Sequence, residues 1–453
     1  MPVFFSSVLL RGILASVLIA AMLFPALGRA QNGKAAANQS LPTSLSESAR
    51  GVLDRAKPSI VQIKGFFGNN TAQAFHGTGF AVAPGGLLLT NYHVVAEKVL
   101  YPQKYRLEYR TPEGQTGTIE VLAIDVRHDL AVVRAKGADN KPFEAKPLPL
   151  EITVPAKGVR AYSIGFPLDV GLTITEGVSN GRVEDAFDAR IHYSGAINGG
   201  MSGGPALNAA GNVIGINVSG YRFEQLVSFL VPALHARALI DRARAEPLQI
   251  AQAKKEVLAQ LHAHAEALLG ALDRPKGEAL PVQRVGAYFL PGKLGEFVDC
   301  NAAGDPAPQL PVRTERIGCS AKAGLYVQQG LYSGDIRYSH YVLSTDKLGA
   351  LRFANRLSGL ASASGGHGSR RHVSAFSCRD SVVALRGFDA KLLVCSRGLR
   401  NFEGLYDITV RVVSLNEESR GFASHIDMYG VGFEAGMNLV RRYVEAMRWM
   451  GES

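Results

Sequence analysis

The sequence predicts a mainly β domain over its first half and an α+β domain over its last third, joined by a helix. Three observations carry that expectation. Short β-type runs alternate with Gly, Pro and Asn turns across residues 51–231. Apolar residues then recur at helical spacing across residues 232–272. All four cysteines (Cys300, Cys319, Cys378 and Cys395) lie in the last third of the chain.

The β-type runs include residues 60–63, 79–82, 86–90, 130–133 and 213–216. Many short strands separated by regular turns mean an all-β barrel or sandwich. Residues 232–245 follow a helical pattern and close that domain. A second helix is expected over 248–272, where Val257, Leu258, Leu261, Ala265, Leu268 and Leu272 share one face. His262 and His264 on it are two apart, so they cannot chelate one ion from one face and read as surface or boundary residues. Residues 273–277 end the helix and mark a boundary. Beyond it, 341–344 and 406–413 read as strands, and Phe433, Met437, Val440, Val444 and Met447 as one helix face. The Gly-rich stretch 362–369 lacks the strand, helix and Lys of a phosphate loop and reads as a surface loop.

The chain has 453 residues, 47% apolar and 19% charged, which disfavours disorder and a multi-span membrane protein. The formal net charge is +10, but the positive residues are dispersed and no basic run interleaves with aromatics. Nucleic acid is therefore not expected as a partner. No metal or cofactor motif stands out, and none is expected.

At the N-terminus Arg11 precedes an apolar run at 13–24, and Gly28 and Ala30 supply small residues for a signal peptidase. That pattern predicts a secretory signal cut after Ala30 and a periplasmic or secreted protein with no stable membrane span thereafter. The run is short beside the roughly 20 residues of a span. The apolar residues 3–10 keep an uncleaved membrane anchor as the alternative. Residues 31–50 read as a flexible lead-in. In an oxidising compartment the simplest cysteine pairing is Cys300 with Cys319 and Cys378 with Cys395; a four-thiolate zinc site is the rival, without a C-x-x-C pair to favour it.

Three segments carry residues suited to one chemistry. LTNYHVV (89–95) runs into His93, RHDLAVV (127–133) opens an apolar strand with Asp129, and INGGMSGGP (197–205) sets Ser202 among glycines. A serine hydroxyl becomes nucleophilic when an imidazole takes its proton, and a carboxylate on the other ring nitrogen fixes the tautomer. Glycines allow a turn tight enough for the N–H groups of Gly200 and Ser202 to converge on an oxyanion. Asp125 is the rival acid, but Asp129 is the one that opens the strand. His76 and His128 end no matching strand.

The order His, Asp, Ser with these flanks resembles the trypsin-like (chymotrypsin-fold) serine peptidases, most of all the bacterial HtrA-type catalytic domain. The matching runs are HGTGFAV (76–82), LTNYHVV (89–95), DLAVVRA (129–135), INGGMSGGPALNAAGNVIGIN (197–217) and FLVP (229–232). The resemblance covers 51–245 and implies a double six-stranded β-barrel there; the residues beyond it read as a helical linker (246–279) and an α+β domain (280–453). It implies an exported serine endopeptidase acting on protein or peptide substrates through an acyl-enzyme. Ala196 would floor the primary specificity pocket, and Val218, Ser219 and Gly220 would pair with the substrate backbone. Without a carboxylate in that pocket, small or medium aliphatic side chains are favoured over Lys or Arg. No PDZ-like segment follows, so the C-terminal domain is expected to bind a protein partner or regulate the protease. The competing readings are a catalytically silent peptide-binding or sensor protein and a chaperone-like protein on the same fold.

In zymogen-activated members of the family, an aspartate precedes the nucleophile and pairs with a newly cut N-terminus. Met201 stands there instead and is suited to filling an apolar gap. The mature protein should therefore be active once folded. Comparing it with versions cut or extended between residues 31 and 58 checks this, and activity that appears only after a specific cut would overturn it.

Overall fold

A computed structural model describes residues 46–220, 227–273, 278–305, 307, 309–362, 368–415 and 418–449. The expected signal (1–30), most of the lead-in (31–45) and the centre of the Gly-rich loop (363–367) lie outside the described residues. The lead-in expected to reach residue 50 ends sooner, because α1 (Glu47–Ala56) already begins there. Ser46 caps it, its side chain accepting from the Ala49 N–H at 3.1 Å. Ala49, Val52 and Ala56 form a thin buried stripe, which the polar residues between them conceal in the sequence.

The first six strands are β1 (Ile60–Phe67), β2 (Gln73–Ala83), β3 (Leu87–Thr90), β4 (Tyr105–Arg110), β5 (Thr116–Asp125) and β6 (Leu130–Gly137). They close into an antiparallel barrel in the order β1-β2-β3-β6-β5-β4. Helix α2 (Tyr92–Leu100) leaves directly from the end of β3. The next six are β7 (Val159–Gly165), β8 (Thr173–Arg182), β9 (Ile191–Tyr193), β10 (Pro205–Leu207), β11 (Val213–Gly220) and β12 (Ser228–Pro232). They close a second barrel in the order β10-β11-β12-β9-β8-β7, and α3 (Leu234–Ala245) follows. Closure leaves neither sheet with a free edge. Phe80, Leu89 and Leu130 of the first barrel meet Tyr162, Ile164 and Leu207 of the second in one core, capped by α1 and α3.

Helix α4 (Ala253–Asp273) links this pair to the rest of the chain by burial along its whole length. Val257, Leu261 and Ala265 enter the core of the first barrel. Leu268, Leu269 and Leu272, one to two turns on, enter a separate C-terminal core. Each such leucine contributes roughly 2 kcal/mol of burial. One expectation is corrected here. His264 is buried rather than at the surface, with Nε2 2.8 Å from the Ala323 carbonyl, because a C-terminal segment covers that side of α4. His262 points elsewhere, to the Glu403 carbonyl at 2.9 Å.

The C-terminal part contains β13 (Val282–Val285), β14 (Tyr288–Pro291), β15 (Val298–Gly304), β16 (Arg313–Ala321), β17 (Leu325–Gln328), β18 (Leu331–Ser333) and β19 (Asp335–Ser344). Helix α5 (Ala350–Ser358) precedes β20 (Ser377–Leu385), β21 (Phe388–Gly398), β22 (Leu405–Ser414) and β23 (Arg420–Gly432). The last elements are α6 (Phe433–Glu445) and β24 (Arg448–Trp449). A seven-stranded antiparallel sheet runs β15-β16-β19-β23-β22-β21-β20, with β13-β14-β24 and the hairpin β17-β18 as smaller sheets. Leu439, Val440 and Tyr443 of α6 pack on Phe422, Ile426 and Met428 of β23. The expected strands fall within β19 and β22, and the expected apolar helix face within and just beyond α6.

Cys300 bonds to Cys319 and Cys378 to Cys395. In both pairs the two residues stand directly opposite across adjacent strands, β15 on β16 and β20 on β21. Since β15 and β20 are the outermost strands, each bond fastens one edge of the large sheet. Replacing either pair with serine should cost on the order of 3 kcal/mol. Denaturant unfolding of the two variants measures this, with non-reducing peptide mapping to verify the pairing; free thiols in the oxidised protein would contradict it.

Candidate active site

His93 owes its position to an abrupt change of structure. The four residues of β3 are buried, Asn91 is extended (φ −83°, ψ 152°), and α2 starts at Tyr92. His93 therefore lies in the first turn of a helix, where backbone N–H groups are unpaired. Asp129 exploits this. Its Oδ1 accepts the His93 backbone N–H at 2.9 Å, and its Oδ2 lies 2.7 Å from the ring Nδ1. With the Nδ1 proton facing Asp129, the Nε2 lone pair is left for another partner. Burial disfavours a charged His93 ring, but the charge and hydrogen bond of Asp129 outweigh it, so the pKa lies above 6.5.

Asp129 adopts a left-handed backbone (φ 57°), a conformation costing about 1 kcal/mol or more for a residue with a Cβ. The Asn91 side chain offsets that by donating Nδ2–H to the Asp129 carbonyl at 2.7 Å. Asn91 was not singled out by the sequence, although it lies in the same run as His93. Asp125 makes the same fork with a different histidine. It accepts the His128 backbone N–H at 3.0 Å and faces His128 Nδ1 at 2.7 Å. His128 also stacks on His235 of α3 at 3.8 Å. Burial and the neighbouring His128 lower the His235 pKa to about 4. Asp125 and His128 thus form a pair of their own, apart from His93.

The Ser202 turn is held by its carbonyls. Gly199 O accepts from Leu168 N–H at 2.8 Å, and Met201 O accepts from Gly204 N–H at 3.0 Å and Asn217 Nδ2–H at 3.3 Å. A trans peptide points its N–H opposite to its C=O. The N–H groups of Gly200 and Ser202 are turned away from those anchors and have no acceptor among the described residues. Gly200 (φ 98°) and Gly203 (φ 82°) both need the left-handed region, and neither tolerates a Cβ. At Gly200 a Cβ would lie 2.3 Å from Phe166 O, and at Gly203 it would lie 2.2 Å from Thr90 Oγ1. Met201 is fully buried among Tyr193, Ile197 and Ile214.

Thr78, which the sequence reading left without a role, fastens this turn to the first barrel. Its N–H donates to Ser202 O at 2.8 Å, and its Oγ1 donates to Gly200 O at 2.7 Å. His76, which ends no matching strand, has a buried Nε2 with no partner among the described residues, 2.5 Å from where a Gly200 Cβ would be. Both residues lie in the run 76–82, and only their proximity in space distinguishes them.

The Ser202 hydroxyl donates to the Val218 carbonyl at 2.6 Å, and no Ser202–His93 hydrogen bond occurs among the described residues. Val218 lies at an irregularity of β11, between Asn217 and Ser219. Strand β10 pairs with β11 only as far as Ile216, so Val218, Ser219 and Gly220 extend past that partner. Ala196 is half-buried, with its carbonyl accepting Thr175 Oγ1–H at 2.9 Å.

Two closed six-stranded barrels, with a His–Asp pair and a glycine-set serine where they meet, define a chymotrypsin-like double-barrel domain. Residues 77–216 match the trypsin-like peptidase domain. This part of the chain matches a trypsin-like peptidase domain and is similar to HtrA-type proteases. It is similar to a probable periplasmic serine endoprotease, DegP-like, of Chlamydia pneumoniae, 34% identical over 38% of this chain and 34% of that one. It is also similar to the mitochondrial serine protease HTRA2 of Bos taurus, 30% identical over 42% of each chain. A solved serine endoprotease from Yersinia pestis is 25% identical, covering 46% of this chain and 69% of that chain at a TM-score of 0.35. The chain thus spans about a third of the length of the first curated relatives.

The fork assigns the His93 shift to Asp129. NMR titration of the ring should give a pKa above 6.5 in the wild type. It should fall below 6.5 in Asp129→Asn, where burial acts without the opposing charge. Asp125→Asn should leave it nearly in place, and a larger effect from Asp125 than from Asp129 would reverse the assignment.

Proposed function

We propose that this protein is an exported serine endopeptidase, with Ser202 as nucleophile, His93 as general base and Asp129 orienting the base. The observation that carries the proposal is the Asp129–His93 fork beside a serine turn whose two N–H groups lack acceptors among the described residues. In this reading His93 Nε2 takes the Ser202 proton as Oγ attacks the scissile carbonyl. The carbonyl oxygen gains charge and is held by the Gly200 and Ser202 N–H groups. Asp129 stabilises the imidazolium, which then protonates the leaving amine; water repeats the sequence to release the acyl group.

The hydrogen bond from Ser202 to Val218 gives the substrate a part in activation. A substrate strand laid along Val218, Ser219 and Gly220 competes for the Val218 carbonyl and frees the hydroxyl to turn toward His93. The same bond favours a second reading, a binding protein that engages peptides without turnover. Ala196 supplies no counter-ion, so small or aliphatic side chains suit the primary pocket better than basic ones. Export is supported by the N-terminal pattern, by two disulfides and by relatives named as periplasmic.

Ser202→Ala should lose nearly all hydrolysis of a denatured protein, retaining only the far smaller rate that binding and the oxyanion donors supply. A fluorophosphonate should label wild-type Ser202 stoichiometrically. Residual hydrolysis within about tenfold of wild type would remove Ser202 as nucleophile. Peptide binding without labelling would favour the silent reading.

A further inference from the structure

The helix that presents His93 is also the surface on which the C-terminal domain rests. Tyr92 Oη donates to the Val327 carbonyl at 2.9 Å, and Tyr101 Oη donates to Gln328 Oε1 at 2.8 Å. Glu97 Oε1 accepts the Gln329 backbone N–H at 3.0 Å. All three contacts reach from α2 and its C-cap Tyr101 to the β17–β18 hairpin, across more than 200 residues of sequence. Leu325, Val327 and Leu331 of the hairpin join the core that holds Tyr92, Val95 and Leu261.

Side chains alternate along a strand, so with Leu325 and Val327 buried Tyr326 turns to the other side of β17, half-buried at the margin of the same core. There its ring meets the His93 ring edge-on, with centroids 5.7 Å apart at 67°. Tyr332 from the other strand of the hairpin packs edge-on against Tyr326 at 5.7 Å and remains 43% exposed. Aromatic surface therefore runs without a break from the histidine ring to solvent. No hydrogen bond holds the Tyr326 hydroxyl among the described residues, so shape rather than polarity places this ring. The carboxylates of Glu97 and Asp129 each accept a backbone N–H, from Gln329 and His93 respectively.

We propose that Tyr326 and Tyr332 are specificity-determining residues: the C-terminal domain supplies an apolar subsite beside His93 for a substrate side chain adjacent to the cleaved bond. This rests on the serine-endopeptidase reading above and adds a substrate preference to it. An aliphatic or aromatic side chain gains contact with two ring edges there, while glycine gains none and a charged group loses hydration.

The test uses the full mature chain and peptide libraries varied at each position flanking the cut, with fluorophosphonate titration to count active sites. At one flanking position, kcat/KM per active site should favour Leu or Phe over Gly by about tenfold. In Tyr326→Ala that ratio should fall below about twofold, and Tyr326→Phe should restore it. Tyr332→Ala should lower it partway, and it reads the same wall should Tyr326→Ala not fold. A ratio unchanged in Tyr326→Ala and Tyr332→Ala, or equal losses for every peptide, would overturn the subsite. Failure of the wild type to label would instead overturn the endopeptidase reading itself.

Discussion

Thr78 makes four hydrogen bonds at the line where the two barrels meet. Its backbone N–H holds Ser202 O, its hydroxyl holds Gly200 O and accepts Phe166 N–H, and its carbonyl accepts from Thr90. The residue is fully buried, so each bond forms where an unpaired group would cost one to three kcal/mol or more. Thr90 ends the strand that leads to His93, while Gly200 and Ser202 belong to the other barrel. One threonine thus ties the strand that leads to His93 to the turn that carries Ser202. Gly203 makes that approach possible, since any Cβ there would strike Thr90 and Thr78 together.

This constraint fixes backbone and leaves side chains free to choose partners. The serine turn is pinned at its carbonyls, yet the Ser202 hydroxyl rests on the Val218 carbonyl, past the end of the β10–β11 pairing. A turn fixed at its carbonyls, with a hydroxyl held by one acceptor, is rigid in frame and free at one rotor. Helix α2 extends this arrangement outward. It carries His93 on its first turn and receives the C-terminal hairpin through Tyr92, Glu97 and its C-cap Tyr101.

Much of the site was legible because its residues occur in short runs whose local geometry is self-contained. His93 follows a strand, Ser202 sits among glycines, and Asp129 opens β6, so three separate stretches could be read one at a time. Asp125 shows the limit of such reading. It forms the same two-pronged contact four residues away, and only the partner histidine differs. Contacts between distant segments were invisible for the same reason. His264 looked peripheral on its own helix and is buried by Ala323, and Tyr326 gave no signal because its neighbour is more than 200 residues upstream. The seven-stranded sheet could be anticipated only as α+β, since strand order depends on pairings that periodicity does not encode.

The positions of the two disulfides bear on how the large sheet withstands contact with extended chains. An outermost strand exposes a row of unpaired N–H and C=O groups, which any unfolded segment can template upon. Where hydrogen bonds alone hold such a strand, an invading segment can peel it away and take its place. Here β15 and β20 are each joined covalently to the strand inside them, at directly opposed positions. An intruder can add to the outside of the sheet, but it cannot displace the native strand or shift its register without first reducing a bond. The cysteines therefore guard against strand exchange, a hazard that grows with the concentration of unfolded polypeptide around the molecule.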